Sequence, residues 1–459
     1  YTGIQTMLFK RLNEPALVMT SGNRRGLPMV ITNEAAFDEL GGLADYFLLH
    51  NRDIINRSDD SVLRIIHGKT AFTRRSRGYV PDPIDIPIRK GSGIALGAEL
   101  RNAAAIGING KAFMTQYLGD ITSLEGVESE RKAVQSMRDL LNITCNPDVM
   151  ACDLHPSYMT SQIAEVMSQE MEVPLVKSQH HHAHITSVMA ENGIKDEEVL
   201  GISLDGAGYG DDGQIWGGEV LKSTYLDYKR VGQLEYIPMP GGDLCAYYPY
   251  RMLISSLSKR VSDDEVRDIT LNHIDLALPY GSQERDIILN HARREGVLMT
   301  SSAGRFLDSV SALIGTSLNR TYEGEPAMLL EDIATKGNPD SIKYEPDIQL
   351  IDDKYVLNTS NVLYNLLINR NKHKKEDIAA YSQKYLAYGL TDIVKMLQDS
   401  TGITKVALSG GVFVNNYITS TISKRLENEG FTVLRNTEVP PGDGGVALGQ
   451  LENSLHHVI

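Results

Sequence analysis

The stretch Gln179-His180-His181-His182-Ala183-His184 puts four imidazoles into five positions. The apolar residues that follow, Ala183, Ile185, Val188 and Met189, recur at helical spacing. A helix that begins at or just before His180 turns His180 and His184 to one face, a turn apart. Two neutral imidazoles on one face are the usual start of a transition-metal site. Further ligands must come from elsewhere, and two carboxylates are candidates. Asp205 ends the strand-like run from Val199 to Leu204, and Asp443 stands in Pro440-Pro441-Gly442-Asp443-Gly444-Gly445. Two His with carboxylates accept zinc or iron and leave a position open for substrate. A His pair taken alone is equally well read as packed polar groups. Asp-Gly loops in order downstream tip the reading to metal.

Glycine-rich loops add a possible nucleotide site. The loop from Asp205 to Gly213 reads as a hairpin-like turn between two strands, in which Gly206, Gly208 and Gly210 let the backbone approach an anion while Asp205 faces a cation. An ordinary β-turn explains this loop alone slightly better. Ser409-Gly410-Gly411 follows a strand and precedes a helix beginning near Asn415, which is a stronger phosphate signal. Gly304 with Asp308 could meet a ribose hydroxyl. Trp216 is read as a packing anchor.

The elements that position these groups repeat. Pro81, Pro83 and Pro87, then Gly91 and Gly93, mark a linker, with a boundary near residue 90. Residues 1–90 read as the end of an α/β unit, with a strand at Leu17-Val18-Met19, a small-residue loop at 20–26 and a crowd of Arg74, Arg75 and Arg77 that suits a phosphate or a solvated turn equally. From 91 the order is three strands, helix, strand, helix, and a second round with the same order starts at Val199. The halves are placed at about 91–198 and 199–459, with a mainly helical insertion at about 249–345. A duplicated unit of this kind is the pattern of actin-like (ASKHA, RNase H-like) ATP-binding folds, whose two halves face each other across a nucleotide cleft.

Composition narrows the function. The first 90 residues carry 13 Lys and Arg against 10 Asp and Glu; the rest carry 32 against 49. An acidic body of this size argues against a nucleic-acid surface. No apolar run approaches the ~20 residues of a membrane span. The three cysteines, Cys145, Cys152 and Cys245, form no CxxC pair and read as small buried hydrophobes in a reducing cytoplasm. The chain begins at Tyr1 rather than Met and is read as part of a longer protein.

Five motifs in order carry a resemblance: Gln179 to His184, Asp205 to Gly210, Ile215-Trp216-Gly217-Gly218-Glu219, Ser409 to Phe413 with Asn416, and Pro440 to Gly445. Together they resemble the HypF family, the carbamoyltransferases of nickel–iron hydrogenase maturation, over about residues 91–455. Residues 1–90 resemble the second half of the YrdC-like domain that precedes it, through Thr20-Ser21-Gly22-Asn23, Asp59 to Val62 and Arg74 to Tyr79. The acylphosphatase and zinc-finger segments of the family have no counterpart in this stretch.

The resemblance implies that carbamoyl-adenylate, made from carbamoyl phosphate and ATP, gives its carbamoyl group to the C-terminal cysteine of a HypE-like partner, on the way to the cyanide ligands of the hydrogenase. Carried over, the metal sits on His180, His184, Asp205 and Asp443, the first three also being the catalytic centre. Gly206, Gly208, Ser409, Gly410, Gly411 and Asn416 hold phosphate and nucleotide, and Gly304, Asp308 and Glu323 the nucleoside. In the YrdC-like part Ser21, Asn23, Ser61 and Arg75 bind substrate. The implied cofactors are ATP, a divalent zinc or iron, and Mg with the nucleotide. Glu325 departs from the Gln expected there, and His181 and His182 are either groups beside the metal or packing. Two other readings stay open: an O-carbamoyltransferase acting on a small-molecule hydroxyl, and a non-catalytic actin-like nucleotide switch.

Overall fold

Short runs of β-branched and aliphatic residues separated by glycines leave little choice but strands. In the computed structural model, which describes residues 2–24, 26–195, 197–270 and 274–458, they assemble into two large sheets and a two-stranded hairpin. The first sheet runs in the order Ile84–Asp85, Lys111–Met114, Ala105–Ile108, Ser92–Ala95, Val149–Asp153, Leu175–Ser178. The second contains Tyr228–Leu234, Ile215–Ser223, Val199–Tyr209, Lys405–Ser409 and Thr432–Arg435 in that spatial order. In each, the first three strands are antiparallel and the last two join in parallel beside the first. The two rounds read from the sequence therefore share one topology, the duplicated actin-like fold. Each round also has a fifth strand, Leu175–Ser178 or Thr432–Arg435, that completes it.

Helices fill the layers between and around the sheets. Ser123 caps the helix Leu124–Leu140 by accepting from Gly126 N–H, and Ala133, Val134 and Met137 bury its inner face. The long helix Lys375–Thr401 ends at Gly402 in the left-handed conformation that glycine adopts without strain. The insertion is mainly helical. A second hairpin after it, Ile348–Ile351 with Lys354–Leu357, extends the second sheet, parallel to Tyr228–Leu234. No helix among the described residues is long and apolar enough to cross a membrane.

The first part differs from expectation. Leu17-Val18-Met19 forms no strand and is exposed, because it has no neighbouring strand to bond with among the described residues. The helices Gly3–Phe9 and Asn33–Leu40 bury no residue. The hairpin Val62–Ile66 with Lys69–Arg74 is held instead by the second half: both Nη atoms of Arg64 lie 3.1 Å from the Glu331 carboxylate, and Arg435 Nη1 donates to Ile66 O. Cys152 and Cys245 are buried as expected; Cys145 is exposed.

Candidate metal centre and its cleft

The His motif becomes the helix His180–Glu191. Its cap is Gln179, whose side-chain oxygen accepts from His182 N–H at 2.8 Å. This helix is wedged between the two sheets and buried from His180 to Ala190. The C-terminal helix Val446–Val458 lies so close that a Cβ at Gly449 would sit 1.9 Å from Ala183 O. Only glycine permits that approach.

His180 and His184 face the same way, as one helical turn requires. Their Nε2 atoms, an Asp205 oxygen and an Asp443 oxygen all lie within 4.8 Å of one another. His184 Nε2 is 3.0 Å from Asp205 Oδ2 and 3.8 Å from Asp443 Oδ1; His180 Nε2 is 3.7 Å from each carboxylate. His180 Nε2 is buried yet has no hydrogen-bond partner. A buried imidazole nitrogen without a partner is costly unless something takes its lone pair. Two nitrogens and two carboxylates around one point, with one nitrogen orphaned, fit a divalent transition metal by number and chemistry.

The electrostatics agree. Burial would raise the Asp205 carboxyl, but the imidazoles of His180 and His184 beside it hold it well below the usual range. Burial, and then the Asp205 charge beside it, push Asp443 up to about 8. A buried carboxylate and a partly buried one that resist sharing negative charge form a site that favours a cation.

A third carboxylate completes the centre and was not read from the sequence. Asp153, the last residue of its strand, is fully buried, with Oδ2 at 2.7 Å from His180 Nδ1. A carboxylate there makes Nδ1 the protonated nitrogen and leaves the Nε2 lone pair facing the cluster. Its position at the end of a strand, as Asp205 stands at the end of Val199–Leu204 in the sequence, was the signal available.

His181 and His182 are packing groups. His182 Nε2 lies 2.7 Å from Thr224 O, and burial brings its imidazole down to about 4. His181 is fully buried against Trp216, and burial, with His180 and His184 beside it, keeps it neutral. Trp216 is an anchor: its Nε1 donates to Asp212 and Arg230 stacks on its ring at 4.0 Å.

The glycines surround the cluster, though not all as expected. The strand Val199–Tyr209 runs on through Asp205, Gly206 and Gly208 before the hairpin turns at 210–214, and its pairing with Ile215–Ser223 shifts register between Leu204 and Gly208, where Asp205 and Gly206 stand. Pairing of Gly208 with Trp216 extends the strand past the carboxylate. A Cβ on Gly208 would lie 2.3 Å from His181 Cε1 and 2.7 Å from His180 Cδ2, so the glycine makes room for the imidazoles. Gly304 packs its Cα region on Gly206, and Gly410, with φ of 106°, packs on Leu204 O. Gly411 approaches Asp205 Oδ1. Ser409 Oγ donates to Asn436 Oδ1 and to Pro441 O, which ties the Ser409-Gly410-Gly411 loop to the loop that carries Asp443.

The remaining expected residues are engaged with other partners. Asp308 is buried and paired with Arg305 at 3.0 Å. Glu323 is paired with Arg101 Nε at 2.9 Å. Asn416 is turned to the hairpin, its Oδ1 accepting from His67 N–H and Ser420 Oγ. Glu325 opens its helix and accepts from Thr321 N–H and Oγ1. Ser21 bonds to Asn23, and Ser61 to Arg77 O and Ser76 N–H. Asp59 pairs with Arg74, and Asp60 with Arg77. Of the four residues of the first part expected to bind substrate, Arg75 is the buried one. Its Nε and Nη1 have no partner, and it lines a small cavity with Arg101, Tyr117, Pro440 and Gly444.

A duplicated actin-like body with a two-histidine, two-carboxylate cluster between its halves offers four donor atoms that could hold a cation. Residues 201–450 match the family model described as carbamoyltransferase, Kae1-like domain, second subdomain; 89–191 match the HypF Kae1-like domain, and 1–76 a YrdC-type model described as telomere recombination. The chain belongs to the HypF carbamoyltransferase family. It is 39% identical over 459 residues to the probable carbamoyltransferase HypF of Methanocaldococcus jannaschii, covering 98% of this chain and 57% of that protein. The crystal structure of full-length HypF in the phosphate- and nucleotide-bound form superposes with a TM-score of 0.89 at 34% identity, covering 99% of this chain and 69% of the other. The crystal structure of T. kodakarensis HypF gives 0.88 at 41%, covering 96% and 57%. The chain spans a little over half the length of the curated relatives it matches, 57–59%.

Proposed function

We propose that this chain carries out the transfer step of an ATP-dependent carbamoyltransferase. The carbamoyl group of carbamoyl-adenylate, itself derived from carbamoyl phosphate and ATP, passes to the C-terminal cysteine thiol of a HypE-like partner protein, toward the cyanide ligands of a nickel–iron hydrogenase. The observation that carries this reading is the four-donor cluster with an orphaned His180 Nε2, set among glycine-lined backbone in a family member.

His180, His184, Asp205 and Asp443 would hold a divalent zinc or iron ion. Bound there, such an ion supplies Lewis-acid stabilisation for charge that develops on a carbonyl oxygen. The chain does the rest. Asp153 fixes the His180 tautomer, so that Nε2 stays free. Asp205 and Asp443 neutralise the cation and orient it. Gly206, Gly304, Gly410 and Gly411 keep side chains out of the cleft, so a nucleotide, accompanied by Mg where phosphates require it, can approach the backbone. The attacking thiol is assigned to the partner; of this chain's own cysteines Cys152 and Cys245 are buried, which pushes their thiols up to about 12 and about 11, and Cys145 is exposed. A cytoplasmic setting follows from the chemistry of a free acceptor thiol.

The test is direct. Synthetic carbamoyl-adenylate is incubated with the chain and a peptide ending in cysteine, with metal content assayed in parallel. Metal-dependent mass gain on the thiol is the expected result. Transfer only to a small-molecule hydroxyl would move the reading to an O-carbamoyltransferase. Nucleotide binding without metal would favour the switch.

A further inference from the structure

The duplicated topology has a consequence for the first half. In the second sheet, the strand that opens the first hairpin carries Asp205 into the cleft. In the first sheet the corresponding hairpin joins Ser92–Ala95 to Ala105–Ile108, and its connection carries Arg101. One half thus offers an anion to the cleft where the other offers a cation.

Arg101 is held in an unusual way. Its φ is 48°, in the left-handed region that L-residues seldom adopt. The other non-glycine residues with positive φ among those described sit in hairpin turns or just past helices, where that geometry is the ordinary solution. Arg101 lies in a long hairpin connection, directly before Asn102, which bridges to Gly119. Its backbone is clamped: its N–H donates to Asp120 Oδ1 at 2.9 Å, and Asn102 exchanges backbone bonds with Gly119 and Leu118. Its carbonyl packs on the metal loop, 3.3 Å from where a Gly444 Cβ would be. Strain maintained by so many contacts aims the side chain. The guanidinium reaches Glu323 of the insertion at 2.9 Å through Nε, and among the described residues its two Nη groups have no acceptor. The same cavity is lined by Arg75, nine-tenths buried, with Nε and Nη1 also unpartnered, and by Thr73, Thr115 and Tyr117. Two guanidinium groups with spare donors beside hydroxyls, next to a metal loop, make a place for a phosphate.

We infer that Arg101 holds the phosphate of the nucleotide substrate in the cleft, and that Glu323 is its resident counter-ion, displaced when the phosphate arrives. Glu323 is then a competitor of the ligand rather than a nucleoside contact. The inference rests on the nucleotide-dependent reading above, and its test separates the two.

AMP and adenosine are titrated calorimetrically into the chain and into Arg101→Ala, Arg101→Lys, Glu323→Gln and the Arg101→Ala/Glu323→Gln double variant. Adenosine affinity, metal stoichiometry and the thermal melt serve as controls for folding. Arg101→Ala should weaken AMP about 10- to 100-fold and leave adenosine unchanged, as expected for loss of charged hydrogen bonds. Arg101→Lys should fall between, since it keeps the charge and loses the fork. Glu323→Gln should tighten AMP about 2- to 5-fold, the scale of a part-exposed ion pair, and only where Arg101 is present. AMP binding unchanged in Arg101→Ala overturns the inference. So does Glu323→Gln weakening AMP equally in both backgrounds, which would make Glu323 a nucleoside contact. If the wild-type chain binds neither AMP, adenosine nor inorganic phosphate, both the inference and the nucleotide-dependent reading fall. If AMP binding depends on Arg101 but no carbamoyl reaches a cysteine peptide, the inference stands and the proposed acceptor does not.

Discussion

Replacing Asp153 by Asn tests how far the metal centre depends on a residue that does not touch the metal position. The carboxylate accepts from two sides: Oδ2 is 2.7 Å from His180 Nδ1, and Oδ1 accepts His155 N–H at 2.9 Å. An amide has one acceptor oxygen and one NH2 donor. Whichever way Asn is turned, its NH2 must face either His180 Nδ1–H or His155 N–H, two donors in opposition. If the backbone bond is kept, His180 is driven toward the tautomer with the proton on Nε2, the atom aimed at the cluster. Loss of such an outer carboxylate costs about 10- to 100-fold in metal affinity, or roughly 1.4–2.8 kcal/mol. His180 and Asp153 are both buried, so water cannot repair the defect and the upper end is expected. The assay is competition with a chelator of known affinity, with nitrogen-15 spectra of the imidazoles reporting the tautomer. An affinity within threefold of wild type, with Nδ1 still protonated, would refute the argument that Asp153 orients the ligand.

Three further outcomes are expected. His184→Ala should bring metal content near zero while the circular dichroism spectrum is kept; full occupancy would reject His184 as a ligand. Glu191 lies on the His helix, and its carboxylate accepts N–H groups of Thr437, Glu438 and Val439. Glu191→Ala should speed amide exchange at 436–439 and weaken metal binding through the Asp443 loop; unchanged exchange there would show the anchor to be idle. Glu130, fully buried beside Asn102, is pushed by burial up to about 8. A carboxyl raised in the folded state stabilises most at low pH, and the benefit is lost as pH rises from about 4.5 through 8, on the order of 3–5 kcal/mol. Glu130→Gln should flatten that slope in denaturant titrations at pH 5 and 8; parallel curves for the two proteins would count against it.

Why some of this could be read from the sequence and some could not follows from what each residue depends on. The His pair was legible because its geometry is local: a helix fixes the relation of positions 180 and 184 whatever surrounds it. The repeated strand order was legible because each strand is bounded by glycine or proline, and topology followed from the repetition. Asp153 and Arg101 were not, because their roles arise from partners 27 and 222 residues away, at His180 and Glu323. The hairpin expected over Asp205–Gly213 is present, but its turn falls later, at 210–214: glycine was taken as a sign of bending, whereas at Gly208 it is a sign of crowding by two imidazoles that the local sequence does not contain. Leu17–Met19 had the composition of a strand but no neighbour, and a strand is a property of a pair. The resemblance placed Asn416 at the phosphate, at the start of a helix, and helix N-termini do attract anions. In the fold that N-terminus faces the first part of the chain, where Glu331 accepts the Asn416 N–H at 2.8 Å. The anion that the helix end favours is present, and it is a carboxylate of the protein itself, which at the same time binds Arg64 and so joins the hairpin to the body.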